Sequence, residues 1–144
     1  MEFKNVLSPI KIGTMEVKNR FMVAAMGTGH GSLSGFVDEQ WYAYYEKRAE
    51  GGFGLITIES SSVNKNGLNS NTQPGIWSDE FKDQWVRVAK ILHQYGAKVS
   101  VQINDSGRQN NPLLTDGTPV SGPSPIACPV FDVVPHELTP EEIK

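Results

Sequence analysis

Three apolar runs in this sequence end on small or polar residues. "RFMVAAMGT" (20–28) closes on Met26-Gly27-Thr28, and "FGLITIESS" (53–61) closes on Glu59-Ser60-Ser61. "KVSVQINDSGR" (98–108) closes on Gln102, Asn104, Asp105, Ser106 and Arg108. A carboxamide such as Gln102 offers both a donor and an acceptor, and serine adds a hydroxyl that does either. Groups of this kind suit the polar edge of a bound ligand. Glu59 stands where a base at a strand end would stand. The alternative is a carboxylate satisfied by neighbouring backbone N–H groups.

The elements that must position these residues follow from periodicity. Residues 9–18 read as a hairpin of two short alternating runs around Gly13-Thr14. Arg20–Met26 is apolar without alternation, which suits a strand covered on both faces. "GTGHGSLSG" (27–35) is loop. Asp38 sits at a helix N-cap, Trp41, Tyr44, Tyr45 and Arg48 recur at three- and four-residue spacing, and Gly51-Gly52 ends the helix. Phe53–Glu59 is a second strand, followed by a polar stretch from Ser60 to Gly75. Ser78 caps a second helix with the stripe Phe81, Trp85, Val88 and Leu92, and Gly96 stops it. Lys98–Ile103 is a third strand, read as buried, with Val99, Val101 and Ile103 alternating. A Pro-punctuated loop runs from 104 to 138 and is too long for a mere connector.

Strands alternating with helices predict parallel pairing. Ligands of such α/β folds collect at the carboxyl ends of the strands. The polar closures of the three runs all fall there, so the third strand ends in amides because its end faces a ligand.

The totals bound the rest. The chain has 144 residues, 38% hydrophobic and 20% charged, with a net charge of −3. That length allows one domain with a real core, and the charge gives no electrostatic reason to expect nucleic acid or an anionic membrane. No apolar run reaches the roughly 20 residues of a bilayer span. No basic segment followed by an apolar one opens the chain, and with a lone Cys128 a cytoplasmic protein is expected. Neither C-x-x-C nor H-E-x-x-H occurs, so no metal site is expected within it. Gly27, Gly29 and Gly31 fail the dinucleotide pattern because position 32 is serine. A flavodoxin-type domain would need a phosphate loop opening directly into a helix, and the stretch between Met26 and Asp38 argues against it. His30 is a solvated loop residue or a substrate contact. His93 suits the end of the second helix, His136 has no assigned role, and Cys128 reads as inert.

"LTPEEIK" (138–144) carries a capping box of Thr139 and Glu142, Pro140 at the first helical position, and staple positions Leu138 and Ile143. A helix is announced that the chain does not continue, and three parallel strands leave two open edges. The expectation is the front part of something longer.

The ordered pieces "LSPIKIGTMEVKNRF", "AAMGT", "YYEKRAEGGFGLITIES", "HQYGAKVSVQIN", "SGR", "PSPI" and "ELTPEEI" resemble the old yellow enzyme family of FMN-dependent NADH:flavin oxidoreductases, near its 2,4-dienoyl-CoA reductase-like branch. The resemblance implies an eight-stranded TIM (β/α)8 barrel. Residues 1–144 would be its N-terminal hairpin and first three β/α units, less the third helix, with the remainder of the barrel absent. It implies FMN bound across the carboxyl ends by Ala24, Ala25, Met26, Gly27, Ser60 and Gln102, with Gln102 on the pyrimidine edge. Small residues at 24 and 27 let backbone approach a flat ring.

The implied activity is hydride transfer from NAD(P)H through FMN to an activated alkene, such as an enone or an enoyl thioester. The family's substrate-binding and proton-donating side chains come from later strands, so no catalytic residue is expected in this chain. A 4Fe-4S cluster, where the branch has one, would lie in the missing C-terminal part. Two departures stand out. Ala25 replaces a common proline, and Asp105 replaces the histidine of a His-x-Gly-Arg motif, beside Arg108 with which it could pair. The alternative is a non-catalytic flavin-binding half-barrel that closes its edges as a homo-oligomer.

Overall fold

The computed structural model describes residues 3–143. Residues 1–2 and Lys144, the last residue of the announced helical turn, lie outside the described residues. A four-residue helix α1 (Lys4–Leu7) precedes the hairpin of β1 (Ile10–Ile12) and β2 (Met15–Val17). Ile10 pairs with Val17 and Ile12 with Met15, which leaves Gly13-Thr14 as the two-residue turn expected. Gly13 has φ +59°, a conformation glycine adopts without strain.

The sheet that matters has three strands in the order β3-β4-β5, all parallel. They are β3 (Met22–Val23), β4 (Leu55–Ser62) and β5 (Lys98–Asn104). Only two residues of the run Arg20–Met26 join the ladder, because Ala24 onward has already left it for the loop. The second strand runs three residues further than expected, to Ser62, which pairs with Asn104. Two helices, α2 (Glu39–Glu50) and α3 (Lys82–Gln94), pack on the sheet. Asp38 caps α2 by accepting the Trp41 N–H at 2.9 Å. Its carboxyl works against desolvation but is held below the usual carboxylate range by that bond and by His30. Ser78 caps a single 3-10 turn (Asp79–Phe81) that leads into α3.

The core lies between helices and sheet. Trp41, Tyr45, Ala49, Ile56, Ile58, Val88 and Leu92 are all buried there. Trp41 packs edge-on against Tyr45 and Trp85 at centroid distances of 5.0 and 5.7 Å, a favoured aromatic geometry. On β4, Ile56 and Ile58 face this layer, while Leu55 and Thr57 stay half-exposed on the other face. The third strand differs from the buried one expected. Val99 and Val101 are half-buried, and Ile103 is 67% exposed. It is an edge strand of this sheet.

The loop 105–135 carries two 3-10 turns, and β6 (Ser121–Gly122) pairs in parallel with β7 (His136–Glu137). The capping box forms: Thr139 N–H donates to Glu142 Oε2 at 2.8 Å, and Glu142 N–H donates to Thr139 Oγ1 at 3.3 Å. The Thr139 backbone bond, aided by His136, holds the Glu142 carboxyl below its usual range.

Leu92 is fully buried at the centre of the helix–sheet layer. Leu92→Ala should destabilise the fold by about 2–5 kcal/mol. Urea titration checks this: a lowered midpoint at unchanged slope is the expected result, and a loss under about 1 kcal/mol would show that the layer is not the core.

Candidate functional site

Parallel pairing brings the three polar closures side by side at one end of the sheet. Their arrangement depends on an irregularity in β4. Ile58 pairs with Val101 and Ser61 with Ile103, so Glu59 and Ser60 together oppose the single residue Gln102. This is a β-bulge, which re-aims side chains locally. Without it, Glu59 would follow Thr57 onto the half-exposed face. Instead Glu59 is 3% exposed and bonds to the side chains of α2. Ser60 is half-buried, and Gln102 is exposed, as is Ser100 two residues earlier. Thr57 and Ser100, cross-strand partners, join their hydroxyls at 2.8 Å.

Glu59 is fully engaged, and not as a free base. Its Oε1 accepts from Trp41 Nε1 at 2.7 Å, from Thr28 Oγ1 at 2.7 Å and from Tyr45 OH at 3.4 Å. Its Oε2 accepts from the Thr28 N–H at 2.9 Å. Its own N–H donates to the Tyr45 hydroxyl oxygen at 2.8 Å. Burial pushes the Tyr45 hydroxyl far above its ordinary range, so it remains a donor. The satisfied-carboxylate reading of Glu59 is the one the geometry takes. Most of its donors are side chains, and Thr28 supplies the one backbone N–H.

The run Ala24–Gly27 lies beside this carboxylate. Ala24, Met26 and Gly27 are exposed and Ala25 is half-buried. A methyl group on Gly27 would stand 3.8 Å from Glu59 Oε2. Outside the sheet ladder, neither the backbone of Met26 and Gly27 nor the carboxamide of Gln102 makes a hydrogen bond within the described residues. Ser60 Oγ accepts from Gln73 Nε2 at 3.0 Å and keeps its own proton to donate. Gln73 is 3% exposed, and its Oε1 accepts the Asn69 N–H at 2.9 Å. Nothing in the sequence marked Gln73, which sits in a polar stretch without periodicity.

Asp105 and Arg108 do not pair. Asp105 accepts from the Gly107 N–H at 2.8 Å and from Asn64 Nδ2 at 3.2 Å, while Arg108 Nη1 donates to the Ile126 carbonyl at 3.4 Å. Asp105 also packs on Gly67, where a methyl group would come within 2.7 Å of its Oδ2. His30 Nδ1 meets Asp38 Oδ2 at 3.2 Å, and His136 meets Glu142 at 3.1 Å. A groove of about 700 Å³ runs along Ile76, Trp77, Lys82, Trp85 and Val86 and includes none of the candidate residues. The candidate residues therefore share an open face and not a closed cavity.

The model of the NADH:flavin oxidoreductase / NADH oxidase family matches residues 5–144. The chain belongs to that family. It is 35% identical over 143 residues to an NADH oxidase of Thermoanaerobacter brockii, covering 99% of this chain and 22% of that protein. It is 33% identical over 150 residues to a cinnamate reductase of Clostridium sporogenes, covering 99% of this chain and 22% of the relative. Its fold superposes on an old yellow enzyme homologue from Zymomonas mobilis with a TM-score of 0.88 and 26% identity, over 96% of this chain and 41% of that structure. The chain thus spans about a fifth to two fifths of the length of these proteins. Its hairpin and parallel strands are part of a β/α barrel of the old yellow enzyme type.

Gln73 holds Ser60 in place through one well-formed bond. Gln73→Leu should cost about 1–3 kcal/mol, because the Asn69 N–H loses its acceptor. In a double-mutant cycle with Ser60→Ala, the two sites should couple by about 0.5–1.5 kcal/mol. Additive losses would show that Gln73 supports the loop and leaves Ser60 alone.

Proposed function

We propose that residues 1–144 form the N-terminal part of an FMN-binding barrel, the hairpin and first three β/α units, in a protein that reduces activated alkenes with electrons from NAD(P)H. The observation that carries this reading is the coincidence of the family match through residues 5–144 with a set of unspent polar groups at the strand ends. Membership supports the flavin, and the relative named for cinnamate supports an α,β-unsaturated acceptor. An enone or an enoyl thioester is the substrate class.

The residues present fit FMN by their chemistry. Ala24, Ala25 and Gly27 are small and Met26 and Gly27 have free backbone groups, as a flat ring lying close to backbone requires. Gln102 has a free carboxamide, whose donor and acceptor match a ring edge that carries both carbonyls and an N–H. Ser60 adds a hydroxyl proton. FMN, when bound, supplies the redox chemistry. This chain's residues would bind and orient it: Gln102 and Ser60 would hydrogen-bond its polar edge, and the backbone of 24–27 would pack against it. In this reading the acceptor's proton would come from side chains of later strands of the barrel.

A second reading is favoured by one observation. Ile103 on the edge strand is 67% exposed, and Met22 on the opposite edge strand is 54% exposed. Open parallel edges with apolar side chains call for cover, and a second copy could supply it in a flavin-binding module without catalysis. Light scattering on the purified protein separates the two: a particle of twice the chain mass or more favours the module, and a monomer removes it.

The central test is Gln102→Ala. Loss of one or two neutral hydrogen bonds should weaken FMN binding about 5- to 30-fold. Fluorescence quenching of FMN in a titration reads the change. Unchanged affinity together with an unchanged flavin midpoint potential would remove Gln102 from the site.

A further inference from the structure

The flavin-side stretch Ala24–Gly27 has few anchors of its own. It contains no side chain that reaches another element by a hydrogen bond, and it runs into a loop with glycines at 27, 29, 31 and 35. Glycine-rich backbone loses the most conformational freedom on ordering. A flat ligand that is recognised by backbone needs that freedom removed beforehand, or its binding must supply the cost.

The structure contains one restraint suited to this. Thr28, directly after Gly27, gives both its N–H and its hydroxyl to Glu59, at 2.9 and 2.7 Å. The same hydroxyl oxygen accepts the His30 N–H at 3.2 Å, so the restraint passes on to the next turn of the loop. Glu59 in turn is fixed from behind by Trp41 Nε1 and Tyr45 OH of α2. It is 3% exposed, so these bonds to a carboxylate are not diluted by water. The β4 bulge is what makes this geometry available. It turns Glu59 toward α2 while Ser60 stays opposite Gln102.

We propose that Glu59 is a positioning residue for the flavin. Acting through Thr28, it fixes the Met26–Gly27 backbone that lies against the ring, and so sets both affinity and the electronic environment of the bound flavin. Glu59 and Thr28 do not touch the ring in this scheme, since the acceptors of Glu59 and the donors of Thr28 are spent on each other and on α2. The inference rests on the flavin reading above.

The test uses the purified protein and FMN, with three variants. Thr28→Val removes the hydroxyl bond while leaving the backbone N–H and the α2 bonds of Glu59 in place. FMN binding should weaken about 3- to 10-fold, and the visible absorption bands and midpoint potential of the bound flavin should shift. Thr28→Ser, which returns the hydroxyl, should restore both. Glu59→Gln puts an amide N–H where a donor already points and should weaken FMN further. Should Glu59→Gln fail to fold, the valine and serine pair decides alone. If Thr28→Val lowers the melting temperature but keeps the parent's affinity, spectrum and potential, Glu59 is only a structural group and the inference is overturned. If the parent itself carries no flavin and binds none on titration, the flavin reading falls and takes this inference with it. The parent's own result tells the two failures apart.

Discussion

A single buried carboxylate ties the three layers of this structure together. Glu59 belongs to the central strand, is bonded by Trp41 and Tyr45 of the first long helix, and is bonded twice by Thr28 of the loop that precedes that helix. A carboxylate only accepts hydrogen bonds, and its partners here are all donors, so no lone charge is left without compensation. The arrangement is costly to break because removing one partner leaves the others facing an uncompensated group. It also places a demand on the strand. Regular alternation would have pointed residue 59 to the face of Thr57, and the bulge opposite Gln102 is the local solution. One irregularity in the ladder therefore serves two needs, a satisfied carboxylate behind the sheet and a serine beside a glutamine in front of it.

The aromatic residues of the first helix take on a second role in this light. Trp41 and Tyr45 are buried in one core cluster with Ile58, and Trp41 packs edge-on against Trp85. Each also has one polar atom, and both of those atoms reach Glu59. Tryptophan and tyrosine are suited to such a place, with an apolar body and a polar tip. Phenylalanine at either position would fill much of the same volume and leave the carboxylate short of a donor. Packing and polar satisfaction are thus set by the same two side chains, which is why the helix must stand in register with the end of β4.

Much of this order was legible in the sequence, for definite reasons. The helices announce themselves by stripes and caps, and Asp38, Ser78, Gly96 and the Thr139–Glu142 box act where local chemistry says they should. The hairpin turn follows from Gly13. The strands' far ends were less legible, because ladder length depends on the partner strand and not on the residue's own pattern. Hence β3 is short, β4 is long, and Ile103 is exposed where alternation read it as buried. The bulge has no sequence signature of its own. The pairing of Asp105 with Arg108 looked natural from proximity in the chain, but Gly107 and Asn64 take the carboxylate first. Gln73 was invisible because it acts across a loop that has no period.

The two faces of the sheet also differ in what they require. On the face toward the helices Ile56, Ile58, Val88 and Leu92 are fully buried, and only the edge strand β5, with Val99 and Val101 half-buried and Ile103 exposed, is left partly uncovered. The other face carries Met22, Thr57, Ser100 and Gln102, half-exposed or exposed, with a hydroxyl pair bridging the strands. In a β/α barrel that face is the interior, where side chains from several strands stack in layers. The hydroxyl pair sits midway along that face, with Met22, Leu55 and the exposed Lys98 at one end and Ser60 and Gln102 at the other. Where a polar side chain stands along the strands decides whether it finds a partner there. Midway along, Thr57 and Ser100 satisfy each other across the strands, whereas at the carboxyl ends Ser60 is held by Gln73 from the following loop and the Gln102 carboxamide has no hydrogen-bond partner among the described residues.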